Sequence, residues 1–380
     1  MRFLFTTLPL VGHLFPVVSL AWALRATGDE VLVCTTAPQF ADSITRAGMS
    51  AIVIHDISIA DYKRASVLTD TGASLAQDLE ASGRGWGALA ARAVSEMDKL
   101  VSEFEPDMVI SEPAEFAGRL AAARHDVGWV EHSWALPFAG QFRRGAEHEL
   151  CQRGNPGLPA PDVVIHPSPR MLWPAGSPEG IAMRYVPYNG PVRLSRWSGM
   201  DRGRRVAFVS FGSLLAEQAE KSEFFREMLE ELSSSGFELI VGMDPSQASR
   251  LGSLPPGVRH AGWVPLAQAM NECDLVIHHG GSGTSFSAAS SGVPQVILPH
   301  STDQFLTAEA LSSSGAARCL QPFEVTPAAV VEAATEVLAN LSYGTAAANL
   351  AREMSALAIP SEVADRLRAL ASAPVFQLRR

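Results

Sequence analysis

The strongest constraint on this chain is a strand–turn–helix rhythm that runs along it twice. Residues 2–8 are a short apolar run, Pro9–His13 is a turn, and an apolar-periodic helix covers about 14–27 until Gly28 stops it. Glu30–Thr35 then reads as a second strand. Strand, loop, helix and strand in that order open a parallel α/β sheet. Residues 38–48 continue as helix, Ala51–Ile54 as strand and 86–104 as helix, with Asp107–Ile110 and Trp129–His132 as further buried strands. The stretch 56–85 is polar and rich in Gly, Ser and Asp, and reads as a long functional loop.

From about 153 to 204 the chain is Pro-rich and irregular, with strand-like pieces at Val163–His166 and Met183–Val186. Pro187-Tyr188-Asn189-Gly190-Pro191 marks a linker. The rhythm then restarts, with strands at Arg205–Phe211, Glu238–Met243, Val258–His260, Asp274–His278 and Gln295–Leu298. Helices fall at about 217–234, 284–291, 327–339, 345–357 and 361–371. The expected fold class is α/β, two doubly wound Rossmann-like domains facing across a cleft. The expected domains are 1–186 and 205–358, with a linker at 187–204. Residues 359–380 form a C-terminal helix and tail that can cross back to the first domain. Ligands of such sheets sit at the carboxyl ends of the strands.

Composition narrows the function. Of 380 residues 47% are hydrophobic and 18% charged, enough for sizeable cores and too apolar for a disordered chain. The longest apolar runs are short and broken, so no membrane span is expected, and the opening is too short for a signal peptide. Net charge is −10, which argues against nucleic acid or an anionic membrane as partner. An anionic ligand would have to be held by local devices. The four cysteines Cys34, Cys151, Cys273 and Cys319 are widely spaced, which fits a reduced, cytoplasmic protein with no disulfide framework or zinc site.

Several motifs are missing. No G-x-G-x-x-G follows the first strand, no P-loop occurs, and Gly280-Gly281-Ser282-Gly283-Thr284 does not match G-x-S-x-G. No D-x-D pair for a divalent metal occurs, and His148-Glu149-Leu150-Cys151 stands alone and reads as surface helix.

What remains is concentrated in Asp274–Phe305. A strand ends at His278, four small residues follow, and a helix begins at Thr284. Glycines let backbone N–H groups approach a ligand, and the open N–H groups and dipole of a helix start attract anions. His278 or His279 at the rim is expected to donate to a phosphate oxygen. Asp303 and Gln304, just past the next strand, offer the acceptor and amide that sugar hydroxyls need. Ser213 lies in another strand-end turn, and Trp263 and Val264 can present an apolar wall to a base. In the first half, His13 follows the first strand, where a neutral imidazole can take a proton from a hydroxyl. Its candidate carboxylate partner is Glu112, with Glu115 second. Trp86 and Trp134 read as walls of an apolar acceptor pocket.

With these residues in hand, the whole chain resembles the inverting GT-B-fold nucleotide-sugar glycosyltransferases, most closely the bacterial natural-product branch that attaches deoxysugars to antibiotic aglycones. The opening Thr7-Leu8-Pro9-Leu10-Val11-Gly12-His13 is similar to that family's first strand and catalytic His. Val186-Pro187-Tyr188-Asn189-Gly190-Pro191 looks like the linker of its TDP-deoxysugar users. His278–Thr284 resembles its diphosphate motif, and Gly292-Val293-Pro294-Gln295 through Asp303-Gln304 its sugar end. The resemblance implies His13 as general base and Glu112 as its partner, where the family usually has Asp. It implies His278, His279, Gly281, Ser282, Gly283 and Thr284 at the diphosphate, Trp263 and Val264 at the thymine, and Asp303 and Gln304 at the deoxysugar. It implies no resident cofactor and no metal, with a TDP-sugar as co-substrate and an apolar aglycone as acceptor, and leaves a homodimer and a protein activator open. Pro137, where some C-glycosylating relatives carry Asp, favours O-glycosylation. Asp29, where the family commonly has His, reads as a surface position. The competing readings are a UDP-hexose-dependent antibiotic-inactivating transferase, a GT-B nucleotide-sugar epimerase and a non-catalytic auxiliary binding protein.

Overall fold

The computed structural model describes residues 1–65, 75–137, 140–191, 203–212, 219–248, 252–300 and 302–373. The chain divides into two units. The first comprises Met1–Ser168, Ala175–Arg184 and the chain from Leu357, and the second Pro169–Pro174 and Tyr185–Ala356.

The first unit runs β1 (Arg2–Thr6), α1 (Val11–Ala26), β2 (Glu30–Thr35), α2 (Ala41–Arg46), β3 (Ser50–Val53), α3 (Ile59–Ala65) and α4 (Leu75–Phe104). It continues with β4 (Met108–Ser111), α5 (Ala117–Arg124), β5 (Gly128–His132), α6 (Gly140–Gln152), β6 (Val163–His166) and β7 (Ile181–Ala182). Its seven strands are all parallel, in the order β3-β2-β1-β4-β5-β6-β7. Strands buried on both faces read as the continuous apolar runs seen in the sequence. The strand order reverses between β1 and β4, and that is where such sheets open a crevice.

The stretch 56–85 is not one loop. Residues 59–65 and 75–85 are helical, and the part between lies outside the described residues. Gly83, one of the glycines that suggested a loop, shares a helix crossing with Gly87 and Gly145. A Cβ on Gly83 would sit inside the carbonyl oxygen of Phe142, one on Gly145 inside that of Glu80, and one on Gly87 2.6 Å from that of Ala146. Their missing side chains let α4 and α6 pack backbone on backbone. Met183–Val186 is likewise not a strand. Met183 pairs instead with Ala358, and the Arg184 N–H donates to Ala358 O at 2.8 Å.

The second unit runs β8 (Arg205–Ser210), α7 (Ala219–Ser234), β9 (Phe237–Gly242), α8 (Pro245–Ala248), β10 (Val258–Gly262), α9 (Leu266–Glu272) and β11 (Leu275–His278). Then come α10 (Ser282–Ser291), β12 (Gln295–Ile297), α11 (Thr302–Ser313), β13 (Ala317–Cys319), α12 (Pro327–Ala339) and α13 (Leu341–Ser355). Its six parallel strands follow the order β10-β9-β8-β11-β12-β13, reversing between β8 and β11. Val209, Leu239, Val241, Ile277 and Val296 meet Phe225, Met228, Leu232 and Val330 in a core on one face of this sheet. Among the described residues no helix is long and apolar enough to cross a membrane.

The last helix, α14 (Pro360–Ala371), belongs to the first unit and packs on α1. It buries Val363, Ala364, Leu367 and Ala371, and Asp29, which is not a surface residue, adds an ion pair. Its side chain is 1% exposed. It accepts from the Met1 ammonium at 3.0 Å and the Thr27 hydroxyl at 2.9 Å, and it pairs with Arg368 of α14 at 3.2 Å.

Candidate active site

In the first unit the site stands at the reversal point between β1 and β4. His13, in the first turn of α1, is 9% exposed, and its Nδ1 lies 2.9 Å from Oε1 of the fully buried Glu112 just past β4. Glu112 Oε2 accepts from the Ala114 N–H at 2.8 Å and the Trp134 indole N–H at 3.0 Å. A carboxylate surrounded by donors acts as acceptor, so the Nδ1 of His13 carries the proton and Nε2 presents its lone pair. The imidazole lies between two tryptophans. Trp134 has its ring centroid 4.2 Å away and Trp86 5.7 Å away.

Glu115 does not share in this contact. Its carboxylate accepts from Thr6 Oγ1 at 2.6 Å and from the Ala117 and Gly118 N–H groups at 2.9 Å, and burial raises its pKa. It caps α5. Arg119, which nothing in the sequence singled out, holds the turn bearing Glu112. This fully buried guanidinium donates through Nη2 to the carbonyls of Pro113 (2.9 Å) and Glu112 (3.3 Å), and through Nε to that of Glu115 (3.1 Å). It pairs with Glu131 at 3.3 Å and lies over the rings of Trp129 and Phe116. Burial lowers its pKa to about 10, so it stays charged at neutral pH.

In the second unit the reversal point between β8 and β11 gathers another set. α10 begins at Ser282 with Gly281 as an uncapped N-cap, and its first ladder bond is Ser285 N–H to Gly281 O. The N–H groups of Ser282, Gly283 and Thr284 lie ahead of that bond, as an anion site requires. Gly280 has φ +90°, and a Cβ there would lie 3.1 Å from the Gln304 carbonyl, so only glycine lets this turn lie against α11.

His278 differs from the expectation of a rim donor. It is fully buried, and both ring nitrogens are engaged within the fold. Nδ1 accepts from the Gly280 N–H at 3.0 Å, and Nε2–H donates to Gln295 Oε1 at 2.8 Å. It fixes the turn. The imidazole at the rim is His279, half-buried, with Nδ1 3.5 Å from Ser210 O. Cβ atoms on Gly212 or Gly281 would lie 3.0 and 2.5 Å from its ring. Gln304 is 5% exposed and its Oε1 accepts from the His300 N–H at 2.8 Å, leaving Asp303 the more open of that pair. Trp263 is 42% exposed after β10, while Val264 is buried. Ser213 lies outside the described residues.

Two residues at the linker support this second set. The buried Tyr185 donates its hydroxyl to Gly283 O at 3.1 Å. Asn189 bridges the loop at 263–266, donating from Nδ2 to Val264 O at 2.7 Å and accepting at Oδ1 from the Leu266 N–H at 3.2 Å. Asn189 stands in the linker motif but Tyr185 precedes it, and their targets lie 75 and 98 residues away in sequence.

The buried imidazoles make stability pH-dependent. Burial lowers the pKa of His132 to about 4 and of His278 to about 3, and shifts His279 in the same direction. In the unfolded chain each ring returns to about 6.5. Stability from the neutral rings is therefore complete above pH 6.5 and falls as pH drops toward 4, because the unfolded chain binds protons that the folded one does not. Urea unfolding is expected to show uptake of about three protons by these imidazoles near pH 5. A pH-independent unfolding free energy between pH 7 and 5 would contradict this.

The chain aligns over nearly its whole length with known enzymes. Residues 22–212 match the Erythromycin biosynthesis protein CIII-like N-terminal domain, and residues 226–370 match the corresponding C-terminal domain. It is 36% identical over 376 residues to L-demethylnoviosyl transferase of Streptomyces niveus, covering 97% of this chain and 98% of that one. Among solved structures, glycosyltransferase SsfS6 of Streptomyces sp. SF2575, complexed with thymidine diphosphate, is 29% identical with a TM-score of 0.82, over 97% of this chain and 99% of that one. Spinosyn rhamnosyltransferase SpnG, complexed with spinosyn aglycone, is 29% identical with a TM-score of 0.84, over 97% and 100%. Two parallel Rossmann-like sheets with these relatives define a glycosyltransferase of the GT-B fold. The chain belongs to the Erythromycin biosynthesis protein CIII-like family of antibiotic-pathway glycosyltransferases.

Proposed function

We propose that the chain moves a deoxysugar, with inversion, from a TDP-sugar to a hydroxyl of a polyketide-type or other natural-product aglycone. The contact between His13 Nδ1 and Glu112 carries this reading, since it fixes the tautomer that a base at Nε2 needs. His13 Nε2 takes the acceptor proton as the oxygen bonds to the anomeric carbon. The bond from that carbon to the TDP oxygen breaks, and TDP leaves with the electron pair. The N–H groups of Ser282, Gly283 and Thr284 meet the charge that develops on the diphosphate. The exposed Trp263 offers its indole to the base, and Asp303 offers an acceptor to the sugar hydroxyls. One relative is seen with thymidine diphosphate and another with an aglycone, which supports both halves of the reading.

Thermal-shift titration with TDP, UDP, AMP and NAD, followed by radiolabel transfer from TDP-sugars to aglycones, tests it. Stabilisation by TDP above UDP together with labelled product is the expected outcome. Preference for UDP, or label that never reaches an acceptor, would overturn it. Tyr185→Phe is expected to weaken TDP binding about fivefold by calorimetry, the equivalent of ~1 kcal/mol for one buried hydrogen bond. Unchanged affinity would remove Tyr185 from the support of the helix start.

A further inference from the structure

Trp134 stands two residues past β5 and touches both members of the His13–Glu112 pair. Its indole N–H donates to Glu112 Oε2 at 3.0 Å, while its ring packs on His13 at 4.2 Å between centroids, planes at 51°. The two oxygens of Glu112 divide their partners. Oε1 faces His13 and accepts the Leu8 N–H at 3.5 Å, while Oε2 takes the indole and the Ala114 N–H. Glu112 and His13 are buried and Trp134 half-buried, and a donor to a buried carboxylate counts for more than it does in water. A donor on the far oxygen draws negative charge away from the oxygen that faces His13 and fixes the carboxylate plane.

We propose that Trp134 is a positioning residue of the transfer reaction, holding Glu112 against His13 and drawing charge to Oε2 so that the acceptor's proton stays on His13. The proposal rests on His13 being the base. Among the described residues, the other titratable groups that interact with Glu112 are Glu115 and Arg119 on the turn and helix after β4 and Tyr62 of α3, with Arg92 of α4 acting on Tyr62. They are the same in wild type and variant, so a difference between the two reports the indole.

Trp134→Phe keeps an aromatic face on His13 and removes only the N–H. Its kcat is expected to fall about tenfold with donor KM little changed. The acid limb of its kcat/KM profile is expected to move up by about half a pH unit or more, because a carboxylate without this donor binds protons more tightly. In a Glu112→Gln background, where no carboxylate remains, the same replacement is expected to move no limb. A limb left at its wild-type position in Trp134→Phe overturns the proposal, whatever happens to kcat or melting temperature. So does an equal shift in the Glu112→Gln background. His13→Ala is assayed alongside. If it is active, the base reading falls and this proposal with it. If it is inactive and the limb of Trp134→Phe has not moved, only the role of Trp134 falls.

Discussion

Replacing His13 with alanine is expected to lower kcat for an alcohol acceptor by about 10²–10⁴-fold, the range over which a positioned general base acts. The donor side should not notice. The residues at the start of α10 belong to the second unit, while His13 belongs to the first. TDP affinity measured by calorimetry is therefore expected to stay within about twofold of wild type, less than the change from losing a single hydrogen bond. Turnover near normal would remove His13 as the base. A parallel loss of TDP binding would show that the substitution had damaged the fold. Glu112→Gln should lose a comparable amount, since the amide offers no charge to the imidazolium that forms and can turn its N–H toward Nδ1, which holds the wrong tautomer.

The second large effect is on stability. Gly83→Ala is expected to destabilise the protein by about 3 kcal/mol or more, because the added methyl would overlap a backbone carbonyl and the α4–α6 crossing would have to open. The same substitution at Gly344 makes the control. Gly344 lies inside α13, is exposed, and has nothing within 4 Å of an added Cβ. There Gly→Ala should stabilise by up to about 1 kcal/mol through helix propensity alone. Opposite signs in urea midpoints would show that close approach governs Gly83. Equal small gains at both positions would show that the crossing is looser than the structure has it.

Much of the architecture was legible from local pattern. Apolar runs alternating with helical periodicity gave both parallel sheets, and the linker stood out because Pro, Gly and Asn punctuate any chain in the same way. The placement of His13, Glu112 and residues 279–284 was legible because each lies just past a strand end, where doubly wound sheets open. What failed has one physical cause: a residue type shows what it can do nearby, not what the fold brings to it. Gly83 and Gly85 read as loop because nothing in their own segment shows that α6 and α3 need room for backbone contact. Asp29 read as surface because Arg368, its partner, comes from the far end of the chain. His278 read as a ligand donor, while Gln295 waited seventeen residues later to occupy its ring.

The return of the chain through Leu357 and α14 has a consequence for anyone who would recombine members of this family. The second unit is threaded through the first in two segments, Pro169–Pro174 and Tyr185–Ala356, so exchanging it whole between relatives takes junctions around both, the last of them before Leu357. A single crossover in the linker would leave the first unit with a foreign closing helix. The socket at Asp29 would then have to accept whatever that helix carries where Arg368 stands. Parents for such a hybrid are best chosen by whether they match at that pair as well as at the linker.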